Sequence, residues 1–353
     1  MSEYHIPVLL AESISALVTN PDGLYADATF GGGGHTAYLL SRLHDGGRVI
    51  AFDRDIDAIQ RAPEDPRLTL IHNNFRFIEN YAEQVRRSLD FARDDKGKAR
   101  DDRGDARDDR GKARDDRGDA RDDKGKARDD RREIGPAVFD GILADLGVSS
   151  HQFDTAERGF SFRFEEAPLD MRMNRESKLT AEDVVNTYDE ADLERILKLY
   201  GEVDGARNMA RLIVQARNQA ALKTTGDLDR AIARMLPKNA EHKLLAKVYQ
   251  ALRIEVNQEM RSLEKFLEGA TRSLKDGGRL VVITYHSLED RMVKNFIKTG
   301  NVEGTEHKDL YGRTQAPLEA INRKPIIPTE EEISANTRAR SAKLRIAERR
   351  AEA

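Results

Sequence analysis

The sequence contains no cysteine at all, which excludes disulfides, thiolate metal sites and a cysteine nucleophile and suits a reducing cytoplasm. It also lacks any apolar run near the roughly 18 residues that span a bilayer, and it does not open with a basic-then-apolar secretion signal. A soluble cytoplasmic protein without a membrane partner is therefore expected. The eight histidines show no H-x-x-x-H spacing and no clustering with carboxylates at metal-ligand intervals, so no catalytic metal is expected. A net charge of −4 argues against the broad basic field of a protein that grips long nucleic acid, leaving only local contacts with RNA.

What the chain does have is a glycine run placed before a spaced acid. Residues 26 to 35 read Ala-Asp-Ala-Thr-Phe-Gly-Gly-Gly-Gly-His, and an apolar run from Arg48 ends on Asp53, 20 residues after Gly33. A strand ending near Ala28 must turn into a helix, and glycine supplies the positive φ and the close approach to a ligand. A carboxylate at that distance, on the end of the next strand, reaches ribose hydroxyls. The pairing points to a nucleoside-binding turn, with an ordinary flexible turn as the alternative. No glycine falls three residues after Gly33, which weighs against a dinucleotide cofactor.

Strand-like runs at Leu24 to Thr29, Arg48 to Asp53 and Leu68 to His72 alternate with helical patterns from about Thr36 and Asp55. Further runs lie at Phe139 to Ala144 and Arg279 to Tyr285. This is the pattern of a doubly wound α/β fold with a parallel sheet, interrupted twice. Residues 92 to 133 are six charged heptads carrying 16 positive and 15 negative charges, five glycines and alanine as their only apolar residue. Such a segment builds no coiled-coil seam and reads as a low-complexity, disordered loop. Residues 165 to 245 are helical in pattern, with Leu193, Ile196 and Leu197, then Met209, Leu212 and Ile213, at face-forming spacing. These features divide the chain into a first part (1–91), the heptad insert (92–133), a second part (134–164), an inserted all-helical subdomain (165–245) and a third part (246–353). One long helix from about Leu244 is expected to return to the sheet, closing at Lys275 to Gly278 just before the strand Arg279 to Tyr285, and the basic stretch 336 to 350 is expected as a solvated helix face, a frayed tail or an RNA contact.

Asp145 closes the fourth strand run, where ligands of open parallel sheets sit. Asp27, Asp53 and Asp145 at three strand ends suggest one site. The segments around Gly33-Gly34-His35, Asp145 to Gln152, Glu157 to Phe162 with Pro168 to Met173, Tyr285 to Arg291, and Arg338 to Ser341 with Leu344 to Arg349 together resemble the bacterial 16S ribosomal RNA cytosine-N4 methyltransferases across nearly the whole chain. The resemblance implies a class I S-adenosylmethionine-dependent methyltransferase domain with a helical insert, acting on a decoding-centre cytidine of 16S rRNA, within the small ribosomal subunit. It implies that Gly33, Gly34 and His35 hold the methionine side of the cofactor, Asp53 the ribose and Phe75 the adenine, with Asp145 and Gln152 completing the pocket. The heptad insert departs from the family pattern, as does His151, which stands where proline is expected.

Methyl transfer to an exocyclic amine demands alignment and acceptors on the N–H bonds. Ser149 and His286, at the ends of the fourth and fifth strands, are candidates for that shell. Phe160, Phe162 and Phe164 alternate beside Arg158 and Arg163, as in a stacking platform for a splayed base, or else as rings facing the core. Arg172 and Arg175 are candidate phosphate contacts. An NAD-dependent oxidoreductase and a non-catalytic RNA-binding or assembly factor are the competing classes.

Overall fold

The computed structural model describes residues 7–88, 137–308, 312 and 315–351. The heptad insert expected to be disordered lies outside these described residues. Among the described residues, seven strands form one sheet: β1 Leu24–Asp27, β2 Arg48–Asp53, β3 Leu68–His72, β4 Phe139–Asp145, β5 Leu274–Thr284, β6 Leu318–Ala320 and β7 Lys343–Arg349. Their order is β3-β2-β1-β4-β5-β7-β6, parallel through β5, with β7 antiparallel to both β5 and β6.

The apolar runs of the central strands are continuous because both faces of the sheet are covered. Leu143, Val281 and Ile283 face one layer with Ile14 and Leu17 of α1 (Leu10–Leu17) and Leu39 of α2 (Gly34–Ser41). Their neighbours Ile142, Ala144, Leu280 and Val282 pack on the other side. There they meet Ile78 of α4 (78–88), Phe266 of α11 (Glu259–Ser273) and Phe296 of α12 (Ser287–Thr299). Between these lie α3 (Ile56–Ile59) and α5 (Ser150–Asp154) on the cleft side, and α6 (Ala181–Thr187), α7 (Glu190–Leu199), α8 (Ala206–Arg217), α9 (Thr225–Ile232) and α10 (Glu241–Asn257). Helices α6 to α10 enclose a second core that includes Leu193, Ile196, Leu197, Met209 and Ile213.

Three expectations change. The basic stretch 336 to 350 is neither one helix nor a frayed tail: its first half holds a short 3-10 turn, Thr337–Ser341. Its second half is β7, seated between β5 and β6 with Leu344, Arg345, Ile346 and Ala347 buried. The Arg345 guanidinium is neutralised there by Asp290 at 2.7 Å, so a charged sequence fills an interior strand. The long returning helix is two helices, because Gln258, with φ 49, turns left-handed between α10 and α11. Lys275 to Gly278, expected as the turn before the fifth strand, form instead an irregularity inside β5, where the register with β4 shifts.

Candidate cofactor and substrate cleft

The strand order reverses between β1 and β4, so the connections leaving the carboxyl ends of these two strands run in opposite directions and leave a crevice. A cleft of about 700 Å³ occupies that position, well within the size range of small-molecule sites. The glycine turn forms one wall. Gly31 and Gly33 adopt φ of 54° and 77°, and a Cβ on Gly34 would come within 2.3 Å of Pro7, so the turn tolerates no side chain at its start into α2. Asp53 fixes the turn: its Oδ2 accepts from the Gly31 N–H at 2.7 Å and its Oδ1 from the Asp55 N–H at 2.8 Å. Each oxygen keeps a lone pair for a ligand hydroxyl. Burial pushes the Asp53 carboxyl above its ordinary pKa.

Phe75 sits in a short 3-10 turn after β3, edge-on to Phe266 at 5.2 Å, and forms with Leu263 an apolar part of the wall. Asp145, at the end of β4, accepts from the Tyr285 hydroxyl at 2.8 Å through Oδ1, while His35 Nδ1 lies 3.6 Å from Oδ2. Burial pushes the Asp145 carboxyl up to about 6, with Asp27 and Glu289 adding to the effect and His35 and Tyr285 opposing it. Its side chain nonetheless remains 23% exposed, toward the cleft. Ser150, another cleft residue, keeps a buried hydroxyl without a protein partner.

All seven residues expected around the cofactor, Gly33, Gly34, His35, Asp53, Phe75, Asp145 and Gln152, line this cleft. Gln152 does so with its side chain committed elsewhere. Its amide donates to Asp55 Oδ2 at 2.7 Å and its oxygen closes a capping box with Ser149. His151 does not disturb that aim, since its Nε2 meets Arg61 at 3.1 Å instead. Asp27 is not part of the lining. It is fully buried beneath the turn, accepting from Thr36 Oγ1 at 2.6 Å.

Of the substrate candidates, Ser149 alone lines the cleft, as the cap of α5. Arg158 is 1% exposed and is consumed by Asp55 at 2.8 Å and by the carbonyls of Arg172 and Met173. Phe160 lies in the helical core, and Phe162 packs on Tyr249 at 5.5 Å and His242 at 5.7 Å. The stacking-platform reading of these two rings is therefore replaced by the core-facing one. Arg172 holds its own loop, bound to both oxygens of Asp170 and to two carbonyls, which removes it from phosphate contact. His286 caps α12 just behind the cleft, Nδ1 accepting from the Glu289 N–H.

The fold also assembles groups that sequence spacing does not bring together. Tyr285 and Glu289 reach the cleft beside Asp145. Glu259, His286 and Glu289 come close enough to hold a cation between them. Those charges are already countered, however: both oxygens of Glu259 accept from Arg253 at 2.9 Å, and His286 Nε2 faces Glu289 at 3.1 Å. Although burial raises the Glu289 pKa, His286, Arg253 and the Tyr285 N–H outweigh it and hold the carboxyl below its ordinary range.

A nucleoside-sized cleft at the switch point, rimmed by a glycine turn and an acid on β2, fits either of two cofactor classes. Comparison with known proteins separates them, because residues 2–350 match the model of the MraW methylase family. The chain belongs to that family. It is 48% identical to a protein named ribosomal RNA small subunit methyltransferase H from Bacteroides fragilis strain YCH46, over 98% of both chains. A protein of the same name from Bacteroides thetaiotaomicron is 47% identical and one from Flavobacterium johnsoniae 46%, each with 98% of both chains covered. A methylase of this fold is a class I enzyme that takes its methyl group from S-adenosylmethionine, and the oxidoreductase reading falls away. Its cleft fits that donor: Asp53 has lone pairs for hydroxyls, Phe75 and Leu263 offer an apolar wall, and Ser150 has an unanswered hydroxyl. No described helix is long and apolar enough to cross a membrane.

Proposed function

We propose that this methylase acts on the exocyclic N4 amine of a specific cytidine in the decoding centre of 16S rRNA, within the small ribosomal subunit, in the cytoplasm. The observation that carries the reading is a carboxylate in the cleft, Asp145, oriented by the Tyr285 hydroxyl and flanked by His35. When bound, S-adenosylmethionine supplies an activated methyl group on its sulfonium. The work left to the chain is positional. Gly33, Gly34 and His35 hold the methionine side, Asp53 the ribose and Phe75 the adenine, while Gln152 acts indirectly by fixing Asp55 and the start of α5.

The cytosine amine is a poor nucleophile because its lone pair is delocalised into the ring. Asp145 accepts one of its N–H bonds, drawing the nitrogen toward a pyramidal geometry. Once the amine carries the methyl group, its surplus proton would pass to the Asp145 carboxylate, leaving the methylated base neutral. A carboxyl with a pKa near 6 is better matched to that task at neutral pH than an ordinary aspartate. Tyr285 keeps the accepting oxygen in place, and Ser149 and His286 stand close behind as polar support. The helices between 165 and 245 are read as an inserted subdomain that closes the substrate side.

The test is the identity of the product. Methylation of small ribosomal subunits followed by nucleoside digestion and mass spectrometry should yield N4-methylcytidine. The alternative of ring-carbon methylation ordinarily needs a cysteine to add to C6, and the sequence has none. Finding 5-methylcytidine, or no transfer to RNA, would overturn the reading.

A further inference from the structure

Of the arginines first nominated for RNA, Arg158 is buried and Arg172 is held within its own loop, whereas Arg163, Arg175 and Arg338 reach solvent at the rim of the cleft. The ring of Phe153, on α5, is met by two guanidiniums from distant parts of the chain: Arg163, 5.2 Å from the ring centroid, and Arg338, at 5.3 Å. Both Nη2 atoms converge on a single oxygen, Oδ1 of Asp154, at 2.8 Å and 2.5 Å. Two cations thus share one carboxylate, leaving a surplus positive charge. Arg163 is 52% exposed and Arg338 34%. Asp154 and His151 line the cleft itself, so the cluster stands at its mouth.

The placement has a chemical consequence. A base that reaches Asp145 must leave its stack, and its flanking phosphates then cross the rim. A guanidinium laid over a ring and anchored by one carboxylate has little orientational freedom left, yet keeps N–H groups for a phosphate, which it binds as a planar fork. The rim continues with Arg61, against His151 at 3.1 Å, and Arg175, 53% exposed and 3.7 Å from Asp57. By contrast Arg158, Arg345 and Arg349 are buried. Resting on the functional reading above, we infer that Arg163 and Arg338, braced by Phe153 and Asp154, form a phosphate-anchoring site for the RNA strand beside the target nucleotide.

The probes are small ribosomal subunits and a single-stranded RNA oligonucleotide, tested with the full-length protein. In the Arg163→Ala/Arg338→Ala double variant, the slope of log affinity against log salt should shrink by about 1.4, since each single-strand phosphate contact contributes about 0.7. KM for subunits should rise roughly tenfold, with kcat within about twofold and S-adenosylmethionine affinity unchanged in calorimetry. Asp154→Asn distinguishes anchoring from a merely structural clamp. It removes the competing charge, so RNA binding should tighten about two- to fivefold, whereas a clamp would loosen as in the arginine variants. An unchanged salt slope in the double variant, or weakened RNA binding by Asp154→Asn, refutes the inference. If the unmodified protein methylates no RNA, the functional reading fails and takes this one with it; methylation with an unaltered slope defeats only the anchor.

Discussion

Asp145 and Asp53 are both cleft carboxylates, but their neighbours give them different work. A pKa of about 6 for Asp145 in the fold, against about 3.9 in an unfolded chain, means that the folded protein binds the extra proton between those values. The folded state is therefore favoured below about pH 4 and loses that advantage as pH rises through 6. Asp145→Asn should raise the stability of the cofactor-free protein at pH 8 by at most about 3 kcal/mol, less because the side chain is 23% exposed. At pH 4 it should change little, so equal effects at both pH values in urea titrations would contradict the assignment. The same replacement should cost about 100-fold or more in methyl transfer and abolish an acid limb near pH 6 in kcat/KM. Asp53 holds Gly31 as well as a ribose, so Asp53→Asn is the gentler probe. Loss of a charge-assisted contact of about 1.5 to 3 kcal/mol should weaken S-adenosylmethionine binding roughly 10- to 150-fold. Unchanged affinity in calorimetry would remove Asp53 from the site.

At the scale of elements, β7 is the one whose role most exceeds its appearance. It covers the flank of β5 and carries β6, so without it β5 becomes an open edge. Leu344 is fully buried against the layer that holds Ile14 and Leu17. Leu344→Ala should therefore cost about 2 to 5 kcal/mol, measured by chemical denaturation. A frayed RNA-binding tail would instead show no stability change and a loss of RNA affinity. The charges that disguised the strand also have places. Lys343 and Arg345 pair with Asp290 on α12 at 3.3 and 2.7 Å, and Arg279 of β5 pairs with Glu348 at 2.9 Å.

For the whole molecule, two cores are tied together across the cleft. Arg158 joins the start of the helical region to Asp55 after β2, and Asn257 accepts from the Met173 N–H while donating to the Met171 carbonyl. Glu202, between α7 and α8, reaches Ser287 and Arg291 of α12. None of these ties involves residues 92 to 133, whose side chains include no large apolar group to bury. Excising that stretch and joining its ends by a short flexible linker should leave the melting temperature within a few degrees and methyl transfer within about a few-fold, because loop length costs only roughly 0.6 kcal/mol per doubling. If its arginines held RNA, the excision would instead flatten the salt dependence of RNA binding while sparing cofactor affinity.

The sequence by itself determined the elements whose signal is local. The interior strands β1, β2, β4 and β5 announce themselves as apolar runs because both faces are covered, and β2 and the edge strand β3 occupy the spans read from the sequence. The spacing of Gly33 and Asp53 follows from the length of one strand–helix–strand unit, so that part of the cleft lining was legible locally, as was Asp145 at a strand end, whereas His35, Phe75 and Gln152 were reached only through the family resemblance. Only tertiary structure decided what depends on a partner far along the chain. Arg158 looks like a surface cation until Asp55, 103 residues away, neutralises it. Phe160 and Phe162 alternate as a platform would, but the helices that cover them come later in the sequence. The strand β7 reads as solvated because its charges are counted before Asp290 and Arg279 are seen to balance them, and the converging pair Arg163 and Arg338 is separated by the whole helical region together with β5 and α12. Burial of a charge is decided by its counter-charge, and that is a property of the folded chain rather than of any stretch of it.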